Sequence, residues 1–407
     1  MQVLLTANLK NVIISHVNSQ TKDERKQRMF VLEEYLADLE ELVNTDSNSH
    51  DPEGLSKVTD VAEKIAHRFG FFVKRHKTSP ESGDVLEISN VEDSDFYDLM
   101  IMGHLDTVLP PGFSKERPFA CDGEYIYGPG TFDMKAGCLC GLYAAKEICD
   151  ELKDKLSFVI VFNCDEEITS IYSKNITYAI AKKSSAALVL ESTGNRGVYT
   201  NRRKGQANYK IKFHGVPGHA GYIFNDRVAN AVVEMGRWAT ELHKLNDPVS
   251  LLSVNVAIAN GGSVINVVPD YAELSVNIRM VNQEQFDFFE SAMQKLAETP
   301  MIKKVTVEIE TLSKTPPMNP AKGMDEYLER VRKAFASIGQ PFDLYPLRGG
   351  CSDGNLIADA GTVCIDSLGP LGADDHTPHE KVWLDDVLPC IMRIKALLED
   401  AALHKSI

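Results

Sequence analysis

The sequence predicts an α/β protein: a mixed, mostly parallel sheet flanked by helices, with an inserted ferredoxin-like α+β domain. Up to about residue 200, continuous apolar runs of strand length alternate with helical segments, which is typical of strands buried on both faces. Strands of alternating polarity and two helices then follow in the order β-α-β-β-α-β. Buried-strand and helix patterns resume afterwards, so the second domain is predicted to interrupt the first.

Periodicity and apolar runs define the elements of the first domain. Residues 55–71 carry apolar side chains at helical spacing, and the small-residue stretch 135–148 is typical of a buried helix. The alternating segment 84–89 predicts a strand. Three continuous apolar runs predict buried strands, at residues 98–102, 156–163 and 185–190.

The inserted domain is predicted over residues 201–315, between the two parts of the first domain, 1–200 and 316–407. Its alternating strands are predicted at residues 206–214, 251–259, 270–280 and 303–312. Its helices are predicted at residues 225–245, starting at an Asn or Asp cap, and at 282–298. Because the strands alternate, we expect one face of this sheet to be open.

Composition and charge restrict the possible partners. The chain of 407 residues has a formal net charge of −15, which disfavours binding to nucleic acid and to anionic lipid. No apolar run reaches the roughly 18 residues that a membrane helix needs. The first 20 residues lack the features of a signal peptide, and the eight cysteines are scattered. We therefore expect a cytoplasmic protein without nucleic-acid or membrane partners.

The predicted strands of the first domain lead into side chains that bind metal ions or transfer protons. These side chains, with others in loops nearby, are His104, Asp106, Asp133, Asp165, Glu166, Glu167, Glu191 and His376. Taken singly, the segments fit a capped turn, a helix N-cap or a solvated helix start. Ligands of open α/β sheets collect beyond the carboxyl ends of the strands, so the shared placement of these residues favours a functional site.

The types of donor predict a two-metal centre. Two imidazoles and three carboxylates suit borderline divalent metals, with zinc first and cobalt or manganese as competitors. Five such groups exceed the three protein ligands of a single catalytic zinc, and they fit two ions that share one carboxylate. Glu166, beside Glu167, is placed to take a proton from water bound at such a centre.

The chain resembles the co-catalytic zinc amidohydrolases, which include glutamate carboxypeptidase, aminoacylase, acetylornithine deacetylase, succinyl-diaminopimelate desuccinylase and peptidase T. The resemblance covers nearly the whole chain and is nearest to the glutamate carboxypeptidase branch. The motifs that carry it occur in this order: MGHLDTV, GPGTFDMKAG, DEEITS, LESTG, GVPGHAG, GGSVINVVPD, RGGCSDGN and DDHTPHEKV. It implies a catalytic domain interrupted by a smaller lid domain that usually dimerises.

The resemblance also implies roles for individual residues of the first domain. Two metal ions would be held in pairs, His104 with Glu191 and Glu167 with His376, and Asp133 would bridge them. Glu166 would be the general base, and Asp106 would orient and polarise His104.

Further roles fall on the inserted domain and on one later segment. His219 would stabilise the tetrahedral intermediate, often from the partner subunit or after lid closure. Asn266 and Arg279 match lid positions that contact the substrate's carbonyl or carboxylate. Gly349 and Gly350 match a backbone segment that lines the substrate pocket.

The sequence departs from the family pattern at a few positions. Thr169 replaces the usual Gly after DEEI, and Ser192 replaces the usual Pro after the ligand Glu191. The arginine that glutamate carboxypeptidase uses near the end of the lid is not evident in this sequence. Either Lys314 replaces it or no residue does. A preference for a C-terminal glutamate is therefore unsupported.

The predicted function is hydrolysis of an amide or peptide bond next to a free carboxylate, as in a carboxypeptidase or dipeptidase, by attack of a metal-bridging water. The alternative is an N-acyl amino acid deacylase of the aminoacylase or acetylornithine deacetylase type on the same scaffold. A non-catalytic binding protein is the distant alternative, and the complete set of predicted ligands and base argues against it. The expected partners are a small peptide or N-acyl amino acid and, through the lid, a second copy of the chain.

Overall fold

A computed structural model describes residues 22–152 and 155–404. The predicted absence of a signal peptide concerns residues 1–20, which lie outside this range. In chain order, the helices are α1 Lys22–Val43, α2 Pro52–Arg68, α3 Phe113–Glu116, α4 Ala136–Leu152, α5 Lys174–Ala181, α6 Ala231–His243, α7 Gln283–Glu298, α8 Met324–Ser337, α9 Asp353–Asp359 and α10 Leu384–Leu403.

The strands form five sheets in the described part of the chain. In chain order, they are β1 Phe72–His76, β2 Val85–Ser89, β3 Leu99–His104, β4 Ala120–Cys121, β5 Tyr125–Tyr127, β6 Phe158–Asn163, β7 Ala186–Val189, β8 Val198–Tyr199, β9 Gly205–His214, β10 Gly218–His219, β11 Ser253–Gly261, β12 Val267–Val268, β13 Tyr271–Met280, β14 Thr306–Thr315, β15 Asp343–Leu344, β16 Val363–Ile365, β17 Gly372–Ala373 and β18 Lys381–Trp383.

The contacts divide the chain into two compact units. Unit 1 comprises the described residues of Met1–Asn201, Pro320–Pro346 and Ser352–Ile407, and unit 2 comprises Arg202–Asn319 and Leu347–Cys351. Each unit has its own apolar core, as expected for a separate folding unit.

Unit 1 is built on a six-stranded sheet in the order β1-β2-β6-β3-β7-β16. The strands β6, β3, β7 and β16 are parallel, whereas β2 is antiparallel to both β1 and β6. All six residues of β3 and of β6 are buried, as expected for central strands covered by helices on both faces. The predicted mixed, mostly parallel sheet is confirmed.

A consequence of this pairing is that several chain segments leave the sheet at one edge. His104 at the end of β3 pairs with Asn163 at the end of β6. On the other side of β3, Met102 pairs with Val189 at the end of β7. The residues that follow these three strands therefore meet at the carboxyl edge of the sheet.

A smaller antiparallel sheet of unit 1 has the order β17-β18-β5-β4. In it, Lys381 at the start of β18 pairs with Tyr127 at the end of β5. The loop before β18 and the loop after β5 therefore leave this sheet at the same end.

Unit 2 contains a four-stranded antiparallel sheet in the order β11-β13-β9-β14. Together with α6 and α7 it gives the predicted β-α-β-β-α-β order, which confirms the ferredoxin-like insertion. Buried and partly exposed residues alternate along β13, so one face packs on the helices and the other is more open. Helix α6 begins later than predicted, after Asn230 as N-cap, because Ala229 pairs with Val216 in a β-bridge.

Within the described residues, no helix combines the length and the apolar character needed to cross a membrane.

Candidate functional site

The end of β3 supplies His104 and, after Leu105, Asp106. His104 is almost fully buried, and its Nδ1 lies 3.1 Å from the backbone oxygen of Asp106 and 3.4 Å from Asp106 Oδ1. An acceptor at Nδ1 fixes the neutral ring with its proton on that atom, so the Nε2 lone pair faces away from β3. Asp106, to which the resemblance gives an orienting role, therefore lies in contact with the ring of His104.

Asp133 lies between the two predicted histidines. It sits in the wide turn Thr131–Lys135, after β5 and before α4. Its Oδ1 lies 3.1 Å from His104 Nε2, and its Oδ2 lies 3.1 Å from His376 Nε2. Each carboxylate oxygen therefore faces a different imidazole, which is the arrangement of a bridging ligand.

The two remaining predicted ligands lie on opposite sides of Asp133. Glu191 Oε1 lies 3.8 Å from His104 Nε2, and Glu167 Oε2 lies 3.2 Å from His376 Nε2. The predicted pairs, His104 with Glu191 and His376 with Glu167, are thus brought together in unit 1.

This donor set fits divalent cations. With its Nδ1 proton bonded to Asp106, neutral His104 presents a lone pair to Asp133 Oδ1, so two acceptors face each other at 3.1 Å. A proton or a cation between them relieves this repulsion. The ligand atoms of His104, Asp133 and Glu191 all lie within 4.8 Å of one another, and so do those of Asp133, Asp375 and His376. Asp375, which stands directly before His376, is not among the site residues predicted from sequence.

The charges of the cluster hold protons when no cation is bound. Burial disfavours the charged ring of His104, but Asp106 and Asp133 raise its pKa well above the usual range. Asp133 and Glu167 raise the pKa of His376 to about 11. The pKa of Asp133 itself is lowered, because the two imidazoles outweigh its burial. Binding of cations would therefore displace protons from the imidazoles.

Glu166, the predicted general base, lies in a single 3₁₀ turn, Glu166–Ile168, after β6. Asp106 accepts hydrogen bonds from the backbone N–H groups of Glu166 and Glu167, at 3.3 Å and 3.2 Å. Ser49 anchors Asp106 in turn, with its Oγ donating to Oδ2 at 2.7 Å. Burial raises the pKa of Glu166 well above its ordinary value. Glu166 is therefore held by the residue that orients His104.

The turn closes in a strained way. Ser170 N–H donates to the Asp165 oxygen and Thr169 N–H to the Glu166 oxygen, both at 2.7 Å, which are the paired bonds of a Schellman motif. Thr169 occupies the position of this motif that requires a left-handed backbone, with φ at 74°. Glycine is preferred there because its lack of a Cβ removes the steric cost. This requirement explains why the resemblance leads us to expect Gly at this position.

Asp353 supports the same turn, and the sequence analysis did not single it out. It is almost fully buried, accepts from Ser170 Oγ at 2.7 Å and from Asn163 Nδ2 at 2.9 Å. Burial raises its pKa to about 7. The signal available in the sequence was its place in the RGGCSDGN motif, as the first residue of α9.

The predicted residues of the insertion lie in unit 2 and are described by their own surroundings. His219 ends β10 and accepts at Nδ1 from the Gly221 N–H at 3.1 Å. Its proton therefore sits on Nε2, which remains a donor. Ala220 N–H donates to the Asn266 backbone oxygen at 2.9 Å, so Asn266 neighbours His219.

Arg279 lies on β13, and its hydrogen bonds go to neutral groups. Its Nε donates to Asn277 Oδ1 at 3.3 Å, and its Nη1 lies 3.5 Å from the Gly349 oxygen and 3.8 Å from Cys351 Sγ. Among the described residues of its unit, no ion pair to Arg279 is present. Gly350, the residue after Gly349, accepts from Arg203 Nη1 at 3.3 Å. A guanidinium in such surroundings is suited to an external anion.

A polar chain across three adjacent strands of unit 2 leads to Arg279. Asn208 Nδ2 donates to Ser313 Oγ, and Asn277 Nδ2 donates to Asn208 Oδ1, both at 2.8 Å. Asn277 Oδ1 is thereby turned towards Arg279. The orientation of the guanidinium is thus set by neighbours that the sequence analysis did not name.

Comparisons with known proteins place these observations in a wider group. A family model described as peptidase family M20/M25/M40 matches residues 100–400. Carboxypeptidase G2 of Pseudomonas sp. (strain RS-16) is 26% identical over 343 residues, covering 83% of this chain and 82% of that protein. Succinyl-diaminopimelate desuccinylase of Hydrogenovibrio crunogenus is 25% identical over 313 residues, covering 71% and 80%. Among solved structures, aminopeptidase PepT from Bacillus cereus matches with a TM-score of 0.72 at 21% identity, covering 91% of this chain and 99% of that one.

Proposed function

The chain belongs to peptidase family M20/M25/M40, and from this premise we propose that it hydrolyses an amide or peptide bond next to a free carboxylate, using two divalent metal ions. Membership makes the chain a hydrolase and implies divalent metal ions. The observation that carries the two-ion proposal is Asp133, whose two oxygens each lie 3.1 Å from a different histidine. Zinc is the first candidate for these ligands, with cobalt and manganese next.

The ions would be held by five residues: His104, Glu191, Glu167, His376 and Asp133. When bound, they would polarise the scissile carbonyl and acidify a water molecule. Glu166 takes the proton of the attacking water and passes it to the leaving amine. Burial raises the pKa of Glu166 above the ordinary range of a glutamate, which is the direction expected of a group that accepts a proton from water. Asp106 holds the Glu166 backbone and so fixes the base relative to His104.

Residues of unit 2 would complete the reaction. His219 presents an Nε2–H donor, which suits stabilisation of the oxyanion in the tetrahedral intermediate. Arg279 would bind the free carboxylate of the substrate, since its contacts inside unit 2 are to neutral groups. Asn266, Gly349 and Gly350 would line the substrate pocket. In this proposal, residues 201–315 act as the lid domain.

The proposal includes a homodimer formed through unit 2. The strand β11 is an edge of its sheet, so its backbone groups are available to a second copy. Phe224 and Ile265 in the same unit are almost fully exposed, which is unusual for large apolar side chains. Measurement of the mass in solution tests this part, and a fully active monomer would refute it.

The test of the main proposal pairs metal analysis with catalysis. Protein purified without added metal should contain about two divalent ions per chain, and a chelator should abolish hydrolysis of dipeptides. Glu166→Gln should keep its metal content and lose roughly 10²–10⁴-fold in kcat. Normal turnover by this variant would refute the mechanism, and absence of metal and turnover after addition of zinc, cobalt or manganese would refute the function.

The desuccinylase among the relatives favours a second candidate, an N-acyl amino acid deacylase. Both reactions need the same base and cations, and they differ in the acyl group that the pocket accepts. Assay of N-acetyl and N-succinyl amino acids beside dipeptides separates them, because the better substrate will have the higher kcat/KM.

A further inference from the structure

Glu380 makes an unusual set of contacts next to the bridging carboxylate. Its Oε1 accepts the backbone N–H groups of Phe132 and Asp133, at 2.7 Å and 2.8 Å. Its Oε2 accepts the N–H of Gly130 at 2.9 Å. Glu380 is only 4% exposed, so one buried carboxylate satisfies three amides of the loop that carries Asp133.

The small antiparallel sheet explains how this contact forms. The Asp133 loop follows β5, and Glu380 stands directly before β18, which pairs with β5. His376 lies in the loop that ends at Glu380, and the Glu380 N–H closes that loop on the Thr377 oxygen at 3.4 Å. The single side chain of Glu380 therefore ties the loop of Asp133 to the loop of His376.

The Asp133 loop needs this support because its backbone is irregular. Gly130 has φ at 71°, and a Cβ there would lie only 2.6 Å from Thr107 Cγ2. The side chain of Thr107 therefore packs directly against the backbone of Gly130. Asp133 has φ at −122° and ψ at 90°, outside the helical region, although α4 begins three residues later. The amides of such a turn require acceptors from outside the turn.

We propose that Glu380 is a positioning residue that fixes the Asp133 carboxylate between His104 and His376 by holding the backbone of its loop. Hydrogen bonds to an ionised acceptor are about twice as strong as neutral ones. Burial raises the pKa of Glu380 to about 7, and the three amide donors act in the opposite direction by favouring its ionised form. Groups that orient metal ligands affect metal affinity about 10–100-fold when they are removed. The inference rests on the proposed function only in that Asp133 is taken as a metal ligand.

The test compares Glu380→Ala and Glu380→Gln with the wild type. In Glu380→Gln the amide oxygen can accept from Phe132 and Asp133, but the NH₂ group would oppose the Gly130 N–H. We expect Zn²⁺ affinity, measured by chelator competition, to fall about 10–100-fold in Glu380→Ala and less in Glu380→Gln. Hydrogen exchange of the metal-free protein should become faster at the amides of Gly130, Phe132 and Asp133 in Glu380→Ala, and mainly at Gly130 in Glu380→Gln.

Glu234→Gln is the matched control. Glu234 is fully buried in unit 2, where it accepts the Ile302 N–H at 2.8 Å and pairs with Arg237 at 2.7 Å. This variant should lose stability without a change in Zn²⁺ affinity, which separates positioning from a general loss of stability.

The outcomes distinguish this inference from the proposed function. If the wild type binds two Zn²⁺ ions and folded Glu380→Ala binds them with affinity within twofold, the positioning role is refuted and the function stands. Unchanged exchange at the three amides would also refute it. If the wild type binds no Zn²⁺, the metal site itself fails, whatever Glu380 does to the exchange of the loop.

Discussion

Replacing Thr169 by Gly should stabilise the protein, against the usual effect of adding a glycine. Thr169 sits at the left-handed position of the Schellman motif with φ at 74°, two residues after Glu167. Its Oγ1 is buried, and no hydrogen-bond partner reaches it in the described structure. Both features raise the free energy of the folded state, and glycine removes both.

The expected size follows from four terms. Relief of the left-handed conformation contributes about 1–2 kcal/mol, and removal of a buried unpaired hydroxyl about 1 kcal/mol or more. Against these, the greater freedom of unfolded glycine costs about 0.5–1 kcal/mol, and loss of the γ-methyl group costs up to about 0.8 kcal/mol. The net expectation for Thr169→Gly is a gain of roughly 0.2–2.5 kcal/mol.

Urea unfolding of the metal-free protein measures this gain as a shift of the midpoint at constant m. Thr169→Ala is the control, because it removes the hydroxyl but keeps a Cβ at positive φ, so it should gain less than Thr169→Gly. Ser170→Gly is the contrast: φ is also positive there, at 49°, but the variant loses the bond to Asp353 and should gain nothing. A Thr169→Gly protein less stable than the wild type, or no more stable than Thr169→Ala, would refute the reasoning.

Three other predictions use the same contacts. Asp106→Asn should lower Zn²⁺ affinity about 10–100-fold, read by chelator competition, and unchanged affinity would show that Asp106 does not orient His104. Asn277→Ala should raise KM about 3–10-fold for a substrate with a free carboxylate and leave kcat and the amide-capped analogue unchanged, whereas equal effects on both substrates would exclude a role through Arg279. Asp353 has its pKa raised by burial to about 7 in the folded chain, against about 4 when unfolded. Its contribution to stability is therefore complete below about pH 4 and is lost as the pH rises through 7. Urea titrations from pH 4 to 8 should show a decline in the wild type that is shallower in Asp353→Asn, and parallel profiles would contradict the assignment.

The fold was predictable where burial of a helix or strand produces an apolar run or a regular spacing of apolar residues in the sequence. The apolar runs of β3, β6 and β7 predicted three central strands, and the polar residues at the ends of these runs or within a few positions after them include His104, Glu167 and Glu191. Alternation gave the sheet of unit 2. These features depend on neighbours in sequence, so local reasoning reaches them.

Other parts of the site depend on contacts between distant segments. Glu380 reaches Phe132 across 248 positions, and Asp353 reaches Ser170 across 183. A carboxylate that accepts backbone amides has no local pattern, because its partners are set by how two loops meet. The start of α6 was misplaced for a similar reason, since the bridge between Val216 and Ala229 is a long-range pairing that the helical period does not reveal.

If Asp133 bridges two cations as proposed, its loss has a different consequence from the loss of either histidine. His104 and His376 each face one oxygen of Asp133, so under that proposal substitution of either histidine would remove a ligand from one position and leave the ligands of the other in place. A chain substituted at His376 would therefore keep the ligands of one cation position. A single reverse substitution would restore the other position. A chain substituted at Asp133 would lose a ligand of both positions at once, so no form with one complete position would remain.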